Sequence, residues 1–249
     1  MKIYKRGFTL TEILLTIAIV GIVGALTIPK LVSTTGDRVN GIAVGRGVEL
    51  VETGMRNIFE AAQSHGVESN TLAALTLADV YGSSANLGAG VNLGAFIASG
   101  DNLFGYAGKF TGTQRVNGDY LANAVEYDGD SLEIRNSSVY RFLKTDIYII
   151  VGNIGQILPA QANDKDLIIA RIYIDGNGPK APNVLGSDIF LFGLSNSGKM
   201  VPAGYSAYNN NIFGDDVDSF RDDCTGDISE KDGRACAGRL VHDGWHINY

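Results

Sequence analysis

The start of the chain contains residues that could undergo cleavage and then form an ion pair: Gly7, Phe8 and Glu12. Gly7 is a small residue between a basic leader and a long apolar run, so a cut after it would leave Phe8 as the first residue. That cut would create an α-amino group, which is normally charged near neutral pH. Glu12 follows four residues after Phe8, so an amine and a carboxylate would share one end of a helix.

Glu12 is the one charged residue in the apolar run from Phe8 to Pro29. A carboxylate in hydrocarbon costs a few kcal/mol unless it is neutralised or paired. An ion pair with the Phe8 amine of a neighbouring subunit would satisfy both groups and set the axial register between subunits. The alternative is a carboxylate that lies at the membrane interface or reaches water along its own side chain. The helix alone leaves both interpretations open.

The apolar run at 8–29 is long enough to cross a membrane once. As a helix it measures roughly 33 Å, against a hydrocarbon core of about 30 Å. Lys2, Lys5 and Arg6 precede it and should stay cytoplasmic, which directs the rest of the chain out of the cytoplasm. A secretory signal has its cleavage site after the apolar segment, whereas the small residue here comes before it. We therefore expect a leader at 1–7 and a transmembrane and assembly helix at 8–29.

The segment from Lys5 to Glu12, with an apolar run that ends at Pro29, resembles the N-terminal signal of type IV pilins and type II secretion pseudopilins. The shared features are the basic leader, Gly before Phe, an acidic residue four positions later and the final proline. The resemblance implies that a prepilin peptidase cuts between Gly7 and Phe8 and methylates the Phe8 amine. It also implies that Glu12 acts in assembly. The matching motif covers about the first 30 residues.

The same likeness implies partners, location and three possible roles. The chain would begin as a single-pass inner-membrane protein with an extracytoplasmic head, meet an inner-membrane assembly platform and self-assemble into a helical filament in the periplasm or on the cell surface. It would be the subunit of a type IV pilus-like filament, a pseudopilin of a type II secretion system, or a minor pilin acting as an adhesin or DNA-binding tip module. Glu12 argues against one specialised tip position, because tip-capping pseudopilins often lack that acid, whereas a head of about 180 residues is large for a major pilin.

A second helical segment is predicted after the apolar run. Apolar residues recur with helical spacing from Val48 to Ala62. Several glycines and a Ser-Thr-Thr-Gly stretch between 33 and 47 predict that the helix is weak or interrupted there. We assign an amphipathic continuation of the helix to 30–66, with one face on a sheet.

Residues 67–249 are expected to form a globular head. Residues 82–118 are rich in Gly, Ala, Ser and Asn and are expected to form a long loop. β-Branched and aromatic residues bounded by Asn, Asp and Gly predict strands at 131–135, 146–151, 167–174 and 189–194. The predicted fold class is α+β, with a long N-terminal helix packed on a C-terminal antiparallel sheet, which is the type IV pilin fold that the resemblance implies.

Asp175, Asn177 and Asp188 make the turn between the last two predicted strands a candidate calcium site. Their side-chain oxygens are ligands that a hard cation such as Ca²⁺ prefers. Pro179 stands where an EF-hand loop would supply another ligand, and Asp and Asn are also favoured in turns for conformational reasons alone. Major pseudopilins, which the N-terminal motif resembles, use calcium in a loop near the sheet. The cofactor expectation is therefore none, with calcium as the one candidate.

The C-terminal region contains both cysteines, Cys224 and Cys236, in the part of the chain expected in an oxidising compartment. A disulfide between them would contribute on the order of 3 kcal/mol; two free thiols or a metal pair are the alternatives. Trp245 and Tyr249 are expected to pack a C-terminal strand onto the head. A weaker second calcium candidate, or simply solvated surface, is the acidic cluster formed by Asp215, Asp216, Asp218, Asp222 and Asp223.

Composition and motifs argue against other classes of protein. The formal net charge of −7 and the lack of a basic cluster beyond the leader argue against general nucleic-acid binding. His242 and His246 have i, i+4 spacing but lack the glutamate of the zincin pattern, so we expect them at the edge of the domain. The sequence also lacks a GxSxG elbow. We therefore predict a structural subunit and no enzyme.

Overall fold

The protein consists of a long helix laid on a six-stranded antiparallel sheet. A computed structural model describes residues 9–82, 91–100, 103–106, 108–126, 131–132, 134, 138–152, 161–204, 224 and 233–247. At 29–35 and at 109 it describes the backbone alone. The predicted α+β fold, with a long N-terminal helix followed by an antiparallel sheet, is confirmed.

The first helix, α1 (Leu10–Ser64), contains 55 residues and continues without a break. The predicted interruption between 33 and 47 is therefore wrong. Glycines in this stretch face the head, where Gly41 and Gly47 are buried. Contact with the head stabilises the backbone where glycine gives little intrinsic helix propensity.

Four short helices follow α1 among the described residues: α2 (Leu77–Tyr81), α3 (Leu93–Ala98), α4 (Leu103–Tyr106) and α5 (Gly108–Thr111). The last three of these helices lie within 82–118, so the predicted long loop is wrong for the described residues of that range. Asn92 caps α3, because its Oδ1 accepts a hydrogen bond of 2.9 Å from the Ala95 amide. Leu93 and Ile97 are buried in the core. Each helix is too short for a periodic pattern to be recognised in a Gly- and Ser-rich sequence.

The sheet has the strand order β1-β2-β3-β4-β5-β6, with every neighbouring pair antiparallel. The strands are β1 (Thr113–Val116), β2 (Ser138–Phe142), β3 (Tyr148–Gly152), β4 (Ile168–Asp175), β5 (Ile189–Ser195) and β6 (Met200–Pro202). The predicted strands at 146–151, 167–174 and 189–194 correspond to β3, β4 and β5. The predicted strand at 131–135 is wrong for its described residues, where Ser131 makes only an isolated bridge to Val125. The other three strands were not predicted.

Both faces of the sheet are covered, which explains the nearly continuous apolar sequences of β4 and β5. On one face, Val51, Met55 and Ile58 of α1 belong to the same buried cluster as Ile172 and Phe192. On the other face lies a smaller cluster that includes Ala124, Leu132, Ile150, Tyr173 and Leu191. The second half of α1 is therefore part of the core of the head.

The C-terminal region contains a helix, α6 (Cys236–His242), in place of the predicted strand. Ala237 and Leu240 of α6 lie in the cluster that also contains the buried face of α1. Trp245 packs at the edge of that cluster, whereas Tyr249 lies outside the described residues. Trp245 therefore packs onto the head as expected, but it follows a helix and not a strand.

Candidate functional site

The start of α1 is organised by hydrogen bonds between Thr9 and Glu12. Oε2 of Glu12 accepts from the Thr9 amide at 2.8 Å and from the Thr9 hydroxyl at 2.9 Å. The Glu12 amide donates to Thr9 Oγ1 at 3.3 Å. This is a capping box, in which two backbone amides that lack helical partners are satisfied by side chains. The carboxylate is thus held at the first turn.

The expected cleavage point lies directly before this capping box. Gly7 and Phe8 are outside the described residues, and Thr9 is the first residue described. Because Phe8 immediately precedes Thr9, a new amine on Phe8 would be adjacent in sequence to the residue that binds the Glu12 carboxylate. The cleavage, the methylation of Phe8 and the assembly role of Glu12 remain predictions.

The apolar part of α1 from Leu10 to Ile28 has the length and composition of a membrane span and is not buried by the head. It contains 19 residues, and it is the one such helix among the residues that the structure describes. Its large side chains are exposed, among them Leu14, Ile17 and Val20. An apolar surface of this size requires a membrane or packing partners in water.

Asp175 and Asp188 lie at the two ends of the β4–β5 connection, and both side chains are fully buried. Asp175 Oδ1 accepts from the amides of Asn177 at 3.0 Å and Gly178 at 2.6 Å. Its Oδ2 accepts a hydrogen bond of 3.0 Å from the Tyr120 hydroxyl. Both oxygens of Asp175 therefore help to fold the turn.

Asp188 binds the other side of the same turn. Its Oδ2 accepts from the Asn183 amide at 2.9 Å, and its Oδ1 accepts from the Val184 amide at 2.7 Å. These two backbone hydrogen bonds stabilise the shape of the turn. The negative charge of Asp188 also disfavours ionisation of Asp175.

Burial raises the pKa of Asp175 to about 7, and the nearby Asp188 adds to this rise. Hydrogen bonds from Asn177, Gly178 and Tyr120 oppose the rise, because they stabilise the carboxylate. Burial also raises the pKa of Asp188. The pair is therefore a site where a cation would relieve an unfavourable concentration of negative charge.

Asn177 and Asn183 add two amide oxygens to the turn. The Oδ1 atoms of both residues are buried and have no hydrogen-bond partner among the described residues. A buried acceptor without a partner is unfavourable, and calcium coordinates amide and carboxylate oxygens. Two carboxylates and two amide oxygens fit the chemistry of a calcium ligand set. The described residues contain no group of three or more His, Cys, Asp or Glu that could hold a metal.

Cys224 and Cys236 form a disulfide with a Cα–Cα distance of 5.5 Å, and both residues are fully buried.

His242 and His246 are exposed, and His242 Nδ1 lies 2.9 Å from Asp243 Oδ1. The acidic cluster at 215–223 lies outside the described residues.

Sequence reasoning missed three residues at these sites: Thr9, Tyr120 and Asn183. Thr9 had a recognisable signal, since Thr-x-x-Glu before an apolar run is the capping-box pattern. Tyr120 lies on a 3₁₀ helix (Asp119–Asn123) far from Asp175 in sequence, so only the fold brings them together. Asn183 lay inside the turn but was not assigned as a ligand.

The long apolar N-terminal helix and the antiparallel sheet define an α+β protein, consistent with the type IV pilin fold. Residues 3–28 match the model of the prokaryotic N-terminal methylation motif. This match supports a type IV pilin-like or pseudopilin protein, and it indicates a structural subunit. The motif implies processing by a prepilin peptidase, filament assembly and inner-membrane anchoring. No curated protein and no solved structure matches the chain.

Proposed function

We propose that this chain is the structural subunit of a type IV pilus-like filament. A prepilin peptidase removes residues 1–7 and methylates Phe8, and the segment that follows anchors the subunit in the inner membrane with its head outside the cytoplasm. An assembly platform then transfers the subunit into the filament. The observation that carries this proposal is the Thr9–Glu12 capping box at the start of an apolar helix that has no partner in the head.

Two environments in succession account for the exposed apolar surface of Leu10–Ile28. The bilayer covers it first, and the same segments of neighbouring subunits cover it in the filament. Gly21 and Ala25 form a small-xxx-small pair, which allows helices to approach closely. No described residue lies within 4 Å of a Cβ built at Gly21, so the described part of the head does not contact this position.

Glu12 supplies the polar contact that sets the register between subunits in this proposal. A buried ion pair stabilises an assembly only when hydrogen bonds satisfy the remaining polar groups. Thr9 provides such bonds from its amide and hydroxyl. The carboxylate is therefore oriented before it meets the Phe8 amine of a neighbouring subunit.

Peptide mass analysis of filaments sheared from cells tests the proposal. The expected result is an abundant species that begins at N-methylated Phe8. A mature protein that still begins at Met1 would overturn both the processing and the filament role.

The pseudopilin role is the second candidate, and the β4–β5 turn is the observation that favours it. Major pseudopilins use calcium near the sheet, and we propose that Asp175, Asn177, Asn183 and Asp188 bind calcium here. A pseudopilin would be retained in the membrane fraction and missing from sheared filaments, whereas a pilus subunit would be abundant in them.

Calcium binding is measured by thermal unfolding of the full chain in detergent, with EDTA or with added Ca²⁺. A free concentration one hundred times the dissociation constant stabilises the folded state by about 2.7 kcal/mol. Asp188→Asn should remove this response. Asp164→Asn is the matched control, because Asp164 is an exposed aspartate that caps a turn by accepting from the Asp166 amide. A calcium response that survives Asp188→Asn would contradict the assignment.

The minor pilin role, as an adhesin or DNA-binding module at a tip, is supported only by the large head. It requires a low ratio of this chain to the main subunit of the filament. Quantitative mass analysis of the same sheared material measures that ratio, and an excess of this chain would exclude a tip role.

A further inference from the structure

Gly41 and Gly45 lack side chains and so leave a notch on one face of α1, which the C-terminal segment fills. A Cβ atom added at Gly45 would lie 2.7 Å from Cδ2 of the Trp245 ring, and one added at Gly41 would collide with the Trp245 carbonyl oxygen. Leu240 of α6 also contacts this notch, at 3.4 Å from the Gly41 position. Gly41 and Gly45 therefore allow the C-terminal segment to lie directly against the helix backbone.

The end of α6 directs Trp245 into the notch. The amide of Trp245 donates to the Leu240 carbonyl at 2.8 Å, and the amide of Gly244 donates to the Val241 carbonyl at 3.1 Å. This pair of bonds is a Schellman motif, with Gly244 in the left-handed conformation that the motif requires. Trp245 also has a positive φ of 66°. A bulky residue keeps this unfavourable conformation only when its surroundings hold it there.

The other face of the Trp245 ring is supported by the sheet. Its centroid lies 6.5 Å from that of Phe192 on β5, with the rings stacked at 28°. The indole is therefore held between α1 and β5. Trp245 links the glycine-rich part of α1 to the centre of the sheet.

The Cys224–Cys236 disulfide fixes the start of the same segment. Cys236 is the first residue of α6, and a guanidinium nitrogen of Arg239 donates to the Cys224 carbonyl at 2.5 Å. Cys236 Sγ packs closely on Gly186, at 2.9 Å from where a Cβ would lie. Cys224 is buried in the same core cluster as α6 and α1, so the disulfide joins the first residue of α6 to that cluster, while Trp245 contacts α1 at the other end.

We propose that α6 and Trp245 form a clamp that holds the glycine-rich part of α1 against the head, and that the Cys224–Cys236 disulfide closes this clamp. The clamp begins at Gly41, just beyond the exposed part of α1, and therefore stiffens the joint between the anchor and the head. Without it, the glycines of this stretch favour local loss of helix. This device belongs to the single subunit and does not depend on which filament the subunit joins.

If the head lies outside the cytoplasm, on which the proposed function rests, closure of the clamp is coupled to export by its redox chemistry. Formation of the disulfide removes two protons and two electrons from the two thiols, and an oxidised dithiol–disulfide oxidoreductase of the extracytoplasmic compartment accepts the electrons and becomes a dithiol. The joint is therefore flexible in a newly made, reduced subunit and becomes rigid after the head has been exported and oxidised.

The fluorescence of Trp245 tests the clamp, because this is the only tryptophan in the chain. The full chain in detergent micelles is compared with Gly45→Ala, in which the added methyl group displaces the indole. We expect emission at longer wavelength, stronger quenching by acrylamide and faster amide exchange at residues 41–48. Gly36→Ala is the matched control, since nothing lies within 4 Å of a Cβ at that position. It should leave all three properties unchanged.

Two further variants separate the clamp from its disulfide. Trp245→Ala should accelerate exchange at 41–48 while exchange in β4 stays slow, which shows that the head is still folded. The double variant Cys224→Ser/Cys236→Ser should reproduce the changes seen in Gly45→Ala. Unchanged exchange at 41–48 in Trp245→Ala would overturn the clamp. Unchanged fluorescence and exchange in the double serine variant would overturn control by the disulfide.

Discussion

The two halves of α1 form one continuous helix but are stabilised by different surroundings. From Leu10 to Ile28 the helix is apolar, and the described residues of the head bury none of this span. From Gly41 to Ala62 one face is buried against the sheet and the C-terminal segment. The first half therefore presents an apolar surface that needs contacts outside the subunit, whereas the second half makes its apolar contacts within the head.

The space around the glycines differs between the two halves of α1. Gly21 in the first half is open, whereas a Cβ at Gly47 in the second half would lie 2.7 Å from Ile174 Cγ2. The same residue type is thus left open in one half and allows close packing of the head in the other. A substitution should accordingly affect assembly or head stability, depending on the half in which it lies.

The largest effect is expected for Glu12→Ala. Processing and membrane insertion should continue, but filament yield should fall well over tenfold, because breaking a buried ion pair costs about 3–5 kcal/mol. Immunoblots of the membrane and sheared fractions measure both steps. The melting temperature of the head should not change.

Glu49→Ala is the matched control for Glu12→Ala. Glu49 lies on the exposed side of the second half of α1 and forms an ion pair with Arg46 one turn away. Such an exposed pair contributes little. Normal filaments from Glu12→Ala, or equal losses from both variants, would refute the ion-pair role.

Titration of the buried acid Asp175 is expected to change the stability of the head and to leave the anchoring helix unaffected. Its pKa rises from 3.8 to about 7 on folding, so the folded head binds the proton more tightly than the unfolded chain. The stability contributed by protonated Asp175 is complete below about pH 4 and is lost as the pH rises through 7. At about 1.4 kcal/mol per pKa unit, the loss amounts to at most a few kcal/mol.

Urea unfolding in EDTA between pH 4 and 8 measures this loss. Asp175→Asn should show a flatter dependence on pH than the wild type, and the difference between the two curves isolates Asp175 from other titrating groups. Parallel curves would contradict the raised pKa. Addition of Ca²⁺ at pH 8 should stabilise only the wild type if the turn binds calcium.

A smaller loss of head stability is expected for Gly47→Val. The added atoms would overlap Ile174 and lie 3.1 Å or closer to Ile147, and overpacking of this kind costs about 1–3 kcal/mol. The head should unfold several degrees lower in a thermal scan. Gly21→Val provides the comparison in the first half, where the head should melt at the wild-type temperature. Equal melting temperatures for all three proteins would show that the second half of α1 is not tightly packed.

The sequence predicted the first half of α1 better than the second for a physical reason. The interior of a membrane is uniformly apolar, so the length and composition of the apolar run are sufficient to recognise a candidate membrane span. Gly41 and Gly45, in contrast, predicted a broken helix, because their partner Trp245 lies 200 residues or more away in the sequence. Local propensity alone cannot include such a contact.

The β4–β5 turn shows the same limit. Asp175, Asn177 and Asp188 were recognised from composition because they lie close together in sequence. Tyr120 could not be recognised, since it reaches Asp175 only after the sheet has formed. The strands β4 and β5 were predicted from β-branched and aromatic residues bounded by turn residues, whereas the short edge strands β1 and β6 contain too few residues for a clear pattern.

The smallest effect is expected for Gly36→Ala, which lies between the two halves of α1. The position has open space around it, so the new methyl group meets no other residue. Alanine is a better helix former than glycine by about 1 kcal/mol. Because this part of the helix lies before the clamp at Gly41, the gain should slow amide exchange around residue 36 and leave the melting temperature of the head almost unchanged. A large rise in that melting temperature would mean that the two halves unfold as one cooperative unit, and the comparison between them would then fail.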